Sequence, residues 1–237
     1  VKPFEIITVL LTAGSLFSLF LYKSKGSFLY LLFLTVIAVI AQHVVGGLRW
    51  QMLATTYILP AMFITYKFKI VNRFTAAILG IWFLVSAIIP WAIPIFTMPA
   101  PKGDFPIGSE TFHWVDSSRL EWFTDENDSD VREIMVQAWY PSENSSSIGP
   151  NPYMDFMNLR SKTLASAGKI PAFLPSHLDM ISTNTRNNVI CSKNLEKYPV
   201  LIFSHGITGS RHLHQILFEH LASKGLSLIH ISEPTRL

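Results

Sequence analysis

The sequence predicts a four-span helical membrane bundle followed by the first part of an α/β domain. Hydrophobic residues make up 49% of the 237 positions and charged residues only 15%, a composition typical of membrane proteins. Four long apolar stretches account for most of this bias, and all lie before residue 100. Near residue 200, an apolar strand pattern runs through a short polar segment into a helical pattern, as in α/β proteins.

The apolar stretches predict four membrane helices: Phe4–Tyr22, Phe28–Val45, Trp50–Tyr66 and Phe74–Phe96. A helix needs about 20 apolar residues to cross a bilayer, and roughly 17 suffice. The third stretch is short and contains Pro60, which neighbouring helices tolerate. The alternatives are buried helices of a soluble domain or, for the first stretch alone, a signal peptide. We assign residues 1–98 to the membrane region.

Basic residues predict the orientation of these helices. The first and third loops between the stretches hold five of them, Lys23, Lys25, Lys67, Lys69 and Arg73. The opposite side holds three, Lys2, Arg49 and Lys102. We therefore expect a multi-pass membrane protein with the first and third loops in the cytoplasm and everything after Phe96 outside it.

Charge and cysteine content exclude several classes of partner. The net charge of +3 comes partly from the membrane loops, and no basic run interleaved with aromatic residues follows residue 100, so no nucleic-acid partner is expected.

Cys191 is the only cysteine, which excludes an intrachain disulfide and a cysteine zinc cluster, and we expect a buried thiol. His212 and His214 cannot share a helix face at two-residue spacing, so we expect no metal and no cofactor.

Past the membrane region, the sequence predicts a separate domain that begins with strands. A Pro/Gly-rich connector occupies residues 99–106. Strand patterns at Thr111–Val115 and Arg119–Phe123 flank three turn residues and predict a hairpin. Arg132–Pro141 alternates polar and apolar residues, and we expect all three runs to be antiparallel edge strands. Short helices with irregular links are predicted over residues 153–194.

The segment Tyr198–Gly206 is the most informative part of this domain. Val200–Ser204 carries no charge and predicts a central strand covered on both faces. After Ser204-His205-Gly206, the residues Leu213, Ile216, Leu217 and Leu221 recur at helical spacing. A turn at the carboxyl end of a parallel strand is where α/β enzymes place N–H groups against a developing oxyanion. The alternative is an ordinary strand-to-helix turn with a surface histidine.

The last residues resemble the translation of a transposase sequencing adapter. The resemblance covers the eleven residues Leu226–Arg236 and starts directly after Lys224-Gly225. We therefore keep residues 226–237 outside the predicted fold as a non-native tail and expect the natural chain to be cut at Gly225. In this interpretation, His230, Ser232 and Glu233 have no catalytic meaning. Val1 in place of a methionine indicates that the amino end is clipped as well.

Several of these segments together resemble the platelet-activating factor acetylhydrolases and their bacterial relatives. They are Arg132–Pro141, the connector with Gly108-Ser109, the strand that enters His205-Gly206, and the helix end Leu221–Gly225. The likeness covers roughly residues 100–225. It implies that residues 99–225 are the truncated first part of an α/β-hydrolase domain. The full-length protein would then hydrolyse a lipid or short acyl ester with a serine nucleophile, and the bacterial relatives imply a bacterial cell membrane.

The resemblance also implies roles for three residues. The main-chain N–H of Ile207 becomes one oxyanion donor, and Gly206 belongs to the oxyanion loop, where a side chain would block a substrate carbonyl. His205 becomes a structural member of that loop, since it precedes the nucleophile elbow. No G-x-S-x-G elbow occurs in this chain, so we expect the nucleophile, acid and base to follow Gly225 and the fragment to be inactive.

Other functions remain open beside ester hydrolysis. One is a non-catalytic membrane sensor or structural protein that uses a hydrolase-like outer domain. A transporter is disfavoured, because Glu5 and His43 are the only ionisable residues in the spans and both lie near span ends. Arg211 lies near the helix start, where it contacts either an anionic substrate or, as we expect, only solvent.

Overall fold

The chain divides into two compact units in a computed structural model that describes residues 2–22, 25–121, 129–143, 149–206 and 209–232. The units are Val1–Ile95 and Phe96–Leu237. The first is helical, and the second holds a five-stranded sheet.

Four helices build the first unit, one for each predicted apolar stretch. They are α1 (Pro3–Phe17, continued by a π-helical turn over Ser18–Tyr22), α2 (Lys25–Gly46), α3 (Trp50–Lys67) and α4 (Arg73–Ala92). The start of α4 shows why a helix begins there: the Asn72 side chain accepts hydrogen bonds from the N–H groups of Phe74 and Thr75. The prediction of four helices in this region is confirmed.

Three of these helices are long and apolar enough to cross a bilayer by length and composition. The candidate spans are Pro3–Leu21, Gly26–Gly46 and Arg73–Ala92. Within the described ranges α3 is not a candidate; its 18 residues include the buried polar Gln51, Thr55 and Thr65. Four spans are therefore not confirmed, although four helices are present.

Small polar side chains of α1 lie inside the helical unit beside an apolar core, and large apolar side chains face outward. On α1 the buried residues are Glu5, Thr8, Thr12 and Ser15, which recur every three or four positions and so share one face. Ser15 hydrogen-bonds to Thr35 on α2 at 3.1 Å between the two hydroxyl oxygens. Leu10 on the opposite face is 65% exposed. Small polar residues between helices and large apolar ones facing outward are the arrangement that a bilayer favours.

The second unit is organised around a mixed sheet with the strand order β3-β1-β2-β5-β4. Its strands are β1 (Ile107–Leu120), β2 (Val131–Pro141), β3 (Thr185–Arg186), β4 (Val200–Phe203) and β5 (Ser227–Ser232). Pairing is antiparallel for β1 with β2 and for β2 with β5, and parallel for β4 with β5 and for β1 with β3. The helices of this unit are α5 (Met157–Gly168) and α6 (Gln215–Ser223), with a 3₁₀ helix at Pro175–Met180 between them in sequence.

The predicted hairpin around residue 117 is wrong. β1 continues through this point, and it is β1 and β2 that pair as antiparallel neighbours. The turn-forming residues are accommodated locally, because Asp116 accepts a hydrogen bond from the Ser118 N–H at 3.0 Å and another from Arg119 Nε at 2.6 Å. The strand predicted at Arg132–Pro141 is confirmed as β2, but β1 and β2 lie inside the sheet and not at its edges.

The core of the second unit lies between β2, β5 and α6. Trp139 has no exposed surface and packs on Phe218 with ring centroids 4.7 Å apart. Ala222 and Leu228 complete this contact. The predicted apolar face of α6 is therefore wrong: the buried residues are Gln215, Phe218, Glu219, Ala222 and Ser223. Gly225 follows the helix with a φ of 91°, as expected for a glycine helix end.

The segment kept outside the predicted fold lies in the sheet. Ser227–Ser232 forms β5, which pairs with β2 on one side and β4 on the other. Side chains of a strand alternate between its two faces, so Leu228 and His230 share one face. Both are 1% exposed, and this buried face explains why the segment lies in the sheet. This corrects the expectation that the folded region ends at Gly225. The adapter origin of residues 226–237 stays a prediction.

Cys191 also differs from its prediction. The thiol is exposed and not buried. The residue forms an isolated bridge with Ser142 at the end of β2, away from the core around Trp139.

Candidate functional site

The strand that enters the His-Gly segment lies at the edge of the sheet. β4 pairs in parallel with β5, as predicted for this strand, but has no second neighbour among the described strands. Val200 and Ile202 are 60% and 69% exposed. The prediction of a central strand covered on both faces is therefore wrong, because α6 covers one face and no described element covers the side chains of Val200 and Ile202.

Directly after β4, the predicted oxyanion loop is accessible. Ser204 and Gly206 are exposed, and His205 between them is half-buried. The His205 Nδ1 atom lies 2.8 Å from the carbonyl oxygen of Gly206. Ile207, the predicted donor, lies outside the described residues, so its role stays a prediction. His205 contacts the backbone of its own loop, and its structural role in an oxyanion loop stays a prediction.

Two glycines of this loop have different local surroundings. A Cβ atom added to Gly206 would meet no atom of the described residues within 4 Å, so their packing does not require glycine there. A Cβ added to Gly209 would lie 2.7 Å from Cβ and 2.8 Å from Cγ of His205, closer than atoms can approach. The Gly209 N–H also donates to the Gly206 carbonyl oxygen at 3.0 Å. Sequence analysis assigned no role to Gly209; its place three positions after Gly206 is the signal that could have identified it.

The other face of the His205 ring contacts β5. His205 stacks on His230 with centroids 5.1 Å apart and an interplanar angle of 23°. Phe203 stacks on His230 as well, at 5.7 Å. Burial, followed by the nearby His205, lowers the pKa of His230 to about 4. His230 is therefore a neutral part of an aromatic stack under the loop.

A buried charged cluster fixes the chain just after this loop. Arg211 and His212 precede α6, and both are buried. Arg211 Nη2 donates to Asp155 Oδ2, and His212 Nε2 lies 3.3 Å from Asp155 Oδ1. Arg160 on α5 approaches the same carboxylate, with Nε 3.2 Å from Oδ1. The prediction of a solvated Arg211 is thus wrong, because a carboxylate 56 positions upstream compensates its charge.

Electrostatics define the protonation states in this cluster. Burial by itself opposes ionisation of Asp155, but the His212 hydrogen bond and the Arg211 charge hold the pKa of the carboxyl well below its usual range. Burial lowers the pKa of His212, which favours a neutral ring. His212 Nε2 also lies 3.4 Å from Arg211 Nε. A neutral ring bonds either partner with this atom, as donor to Asp155 or as acceptor from Arg211, but not both.

A polar cavity lies beside the cluster. It has a volume of about 50 Å³ and is lined in part by Asn151, Tyr153, Asp155, Thr185 and His212. Pockets that hold small organic ligands usually measure about 300–1,000 Å³. This cavity is smaller than such pockets, and the cluster beside it contacts the segment that follows the loop.

The described residues contain no group of three His, Cys, Asp or Glu side chains that could hold a metal ion. The predictions that the triad lies elsewhere and that no metal is bound stay predictions.

Comparison with known proteins gives a family and several similar solved structures. No curated protein matches the chain significantly. A solved structure similar to it is the ferulic acid esterase from Streptomyces cinnamoneus, with 27% identity and a TM-score of 0.47. The match covers 61% of this chain and 39% of the esterase chain, so this chain spans less than half of that protein's length.

The family evidence covers more of the chain. The profile of platelet-activating factor acetylhydrolase, isoform II, matches residues 94–233, which is more than half of the sequence. The matched region includes β1, β2, the Ser204–Gly206 loop and α6. The chain therefore belongs to the platelet-activating factor acetylhydrolase isoform II family.

Proposed function

We propose that this protein is a serine carboxylic-ester hydrolase to which the present chain contributes one side of the oxyanion site. Family membership over residues 94–233 is the observation that carries the proposal. The exposure of Ser204 and Gly206 at the carboxyl end of β4 supports it, because a substrate carbonyl has access to this loop.

The chemistry assigns a distinct task to each loop residue. When a serine attacks the ester carbonyl, the carbonyl oxygen becomes an oxyanion, which needs two hydrogen-bond donors. The Ile207 N–H supplies one, and the amide after the nucleophile supplies the other. Gly206 leaves room for the carbonyl. His205 holds the loop through its contact with the loop's own backbone.

The serine and its base are not assigned to residues of this chain. No G-x-S-x-G sequence occurs in it, and in this fold class the serine, acid and histidine follow the oxyanion loop in that order. In our proposal the 237-residue chain alone does not hydrolyse esters. Its active form includes an elbow serine encoded in the source gene.

The proposed setting is the outer surface of a bacterial cell membrane. Three helices long and apolar enough to span a bilayer support anchoring. The excess of basic residues in the first and third loops supports an outer unit that faces away from the cytoplasm. A lipid or short acyl ester is the proposed substrate, since the anchor keeps the hydrolase unit next to lipid.

Ester hydrolysis by the product of the uninterrupted source gene tests this function. The protein, its elbow serine-to-alanine variant and the 237-residue chain would each be assayed with p-nitrophenyl acetate. The proposal predicts turnover by the first protein only. Equal rates for the serine protein and its alanine variant would contradict it and favour a non-catalytic role. Turnover by the 237-residue chain would contradict the placement of the nucleophile.

A further inference from the structure

The helical unit contains a buried arginine whose hydrogen-bonding capacity is only partly used. Arg49 lies between α2 and α3 and is 2% exposed. Its Nη1 atom donates to Glu5 Oε1, and the Glu5 side chain is 1% exposed. Its Nε and Nη2 atoms are buried and have no hydrogen-bond partner in the described structure.

These two unpartnered atoms form a specific recognition element. Nε–H and Nη2–H lie on the same edge of the planar guanidinium and point in parallel. Such an edge matches the two oxygens of a carboxylate or phosphate, which it binds in a bidentate manner. A buried donor without a partner costs folding free energy, so a pair of them on one side chain requires a binding partner as explanation.

The charge balance at this end of the unit favours an anion. The Lys2 N–H donates to Glu5 Oε2 at 2.8 Å, and Lys2 Nζ lies 3.5 Å from the Gly46 carbonyl oxygen. The Lys2 contact with Glu5 is made by the uncharged main-chain N–H, so Glu5 compensates the charge of Arg49 alone. The exposed Lys2 ammonium group, which contacts the Gly46 carbonyl, adds one further positive charge at this end. Glu5 is the only acidic residue among positions 1–95, so the helical unit has no second carboxylate to offer.

Further polar groups without partners lie at the same end of the helices. Gln42, in the last turn of α2, has both amide atoms buried and unpartnered within the described ranges. Gln51 Oε1 and Thr55 Oγ1, in the first turns of α3, are in the same condition. The N-terminus of α3 begins at Trp50, directly after Arg49, and favours negative charge.

We propose that Arg49, with Lys2 and Gln42 nearby, forms a binding site for an anionic phosphate or carboxylate group in the helical unit. The ligand contributes two oxygens to the Nε and Nη2 edge, while Glu5 keeps Nη1. A free oxyanion and the phosphate of an anionic lipid headgroup share this chemistry. The site is independent of the proposed ester hydrolysis, because all of its residues belong to the first compact unit.

Thermal unfolding of the full chain in uncharged detergent micelles tests the site. Sodium phosphate would be raised at constant ionic strength maintained with sodium chloride. A bound ligand stabilises the folded state by mass action, so we expect a saturable rise of the unfolding midpoint. Arg49→Lys retains a positive partner for Glu5 but removes the bidentate edge, and we expect its phosphate affinity to fall at least about tenfold. Arg73→Lys, at an exposed arginine that starts α4, is the matched control and keeps the wild-type response.

A second variant distinguishes loss of the anion site from loss of the fold. Glu5→Gln combined with Arg49→Gln replaces both members of the ion pair, so neither charge is left buried alone. Helical content measured by circular dichroism identifies which variant folds. Loss of the phosphate response in the folded variant supports the site. A wild-type response in it, or a wild-type midpoint that depends on ionic strength alone, would overturn the proposal.

The source of the anion is distinguished in nanodiscs. The chain would be placed in phosphatidylcholine discs and in discs that also contain phosphatidylglycerol. If a lipid headgroup is the ligand, phosphatidylglycerol raises the midpoint of the wild type and of Arg73→Lys but not of Arg49→Lys, and added phosphate has no further effect. If a free oxyanion is the ligand, phosphate raises the midpoint equally in both discs. No Arg49-dependent shift in either disc would count against the site.

Discussion

Asp155 Oδ1 lies 3.3 Å from Nε2 of His212, although 57 positions separate the two residues in sequence. The contact joins the segment before α5 to the residues that lead from the His-Gly loop into α6. Arg211 reinforces it through the second carboxylate oxygen. One carboxylate therefore holds the downstream end of the proposed oxyanion loop.

Asp155→Asn should destabilise the second unit. The change leaves the guanidinium of Arg211, whose side chain is 6% exposed, without its anion. Breaking a buried pair costs about 3–5 kcal/mol, and because Asp155 is itself 30% exposed we expect about 2 kcal/mol of unfolding free energy to be lost. Denaturant unfolding followed by tryptophan fluorescence would measure it. Asp179→Asn, at an exposed aspartate, is the control; equal losses in the two variants would refute the role of Asp155.

The Asp155 contribution should depend on pH in a defined direction. The pKa of this carboxyl is lower in the folded chain than its ordinary value of about 4, so the folded state binds fewer protons. The stabilisation is thus complete above about pH 4 and is lost as the pH falls further toward the folded pKa. The difference in unfolding midpoint between wild type and Asp155→Asn should be constant from neutral pH down to about 4 and shrink below it. A difference that grows on acidification would contradict this assignment.

Alanine at the two loop glycines should have different effects on stability: Gly209→Ala should destabilise the second unit, and Gly206→Ala should not. In Gly209→Ala the new Cβ would lie 2.7 Å from His205 Cβ, so the His205 ring must move and the stack on His230 is disturbed. Overpacking of this kind usually costs about 1–3 kcal/mol. In Gly206→Ala the new Cβ meets no atom of the described residues within 4 Å, and the unfolding midpoint should be unchanged. A larger loss for Gly206→Ala than for Gly209→Ala would show that the loop is packed differently.

Local patterns predict the elements of this chain well, because helices and strands depend on near neighbours. The four apolar stretches each form a helix, β2 covers the predicted Arg132–Pro141, and Gly225 ends α6. Such features follow from 3.6-residue and two-residue periodicity and from glycine conformation alone. The family resemblance was correct for the same reason, since it rests on short segments in a fixed order.

Features that depend on distant partners were not predicted. Phe218 and Ala222 are buried because Trp139 lies opposite them, and the helix periodicity alone favoured Leu213 and Ile216, which are exposed. β4 has the composition of a central strand but only β5 as a neighbour.

The candidate site illustrates the same limit. The sequence around Arg211 predicts a surface residue, because its partner Asp155 lies 56 positions earlier in the chain. The need for glycine at position 209 follows only from the structure, in which the His205 side chain occupies the space that a Cβ atom would fill.

The single cysteine provides a test of membrane orientation. Cys191 is exposed, and we expect the second unit outside the cytoplasm. A membrane-impermeant maleimide should therefore label Cys191 in intact spheroplasts. In a Cys191→Ser chain with Val71→Cys, at the exposed residue between α3 and α4, labelling should require permeabilised membranes. The reverse pattern would place the second unit in the cytoplasm.

The backbone amide of Ile207 tests the central claim most directly. In the protein from the uninterrupted gene, Ile207→Pro removes the N–H and Ile207→Val retains it with a similar side chain. Loss of one oxyanion donor lowers kcat by about 10²–10³-fold in serine hydrolases. We predict a fall of this order in kcat for p-nitrophenyl acetate with Ile207→Pro and nearly wild-type turnover with Ile207→Val, at equal unfolding midpoints. Wild-type turnover by a folded Ile207→Pro protein would contradict the proposed oxyanion role of this loop.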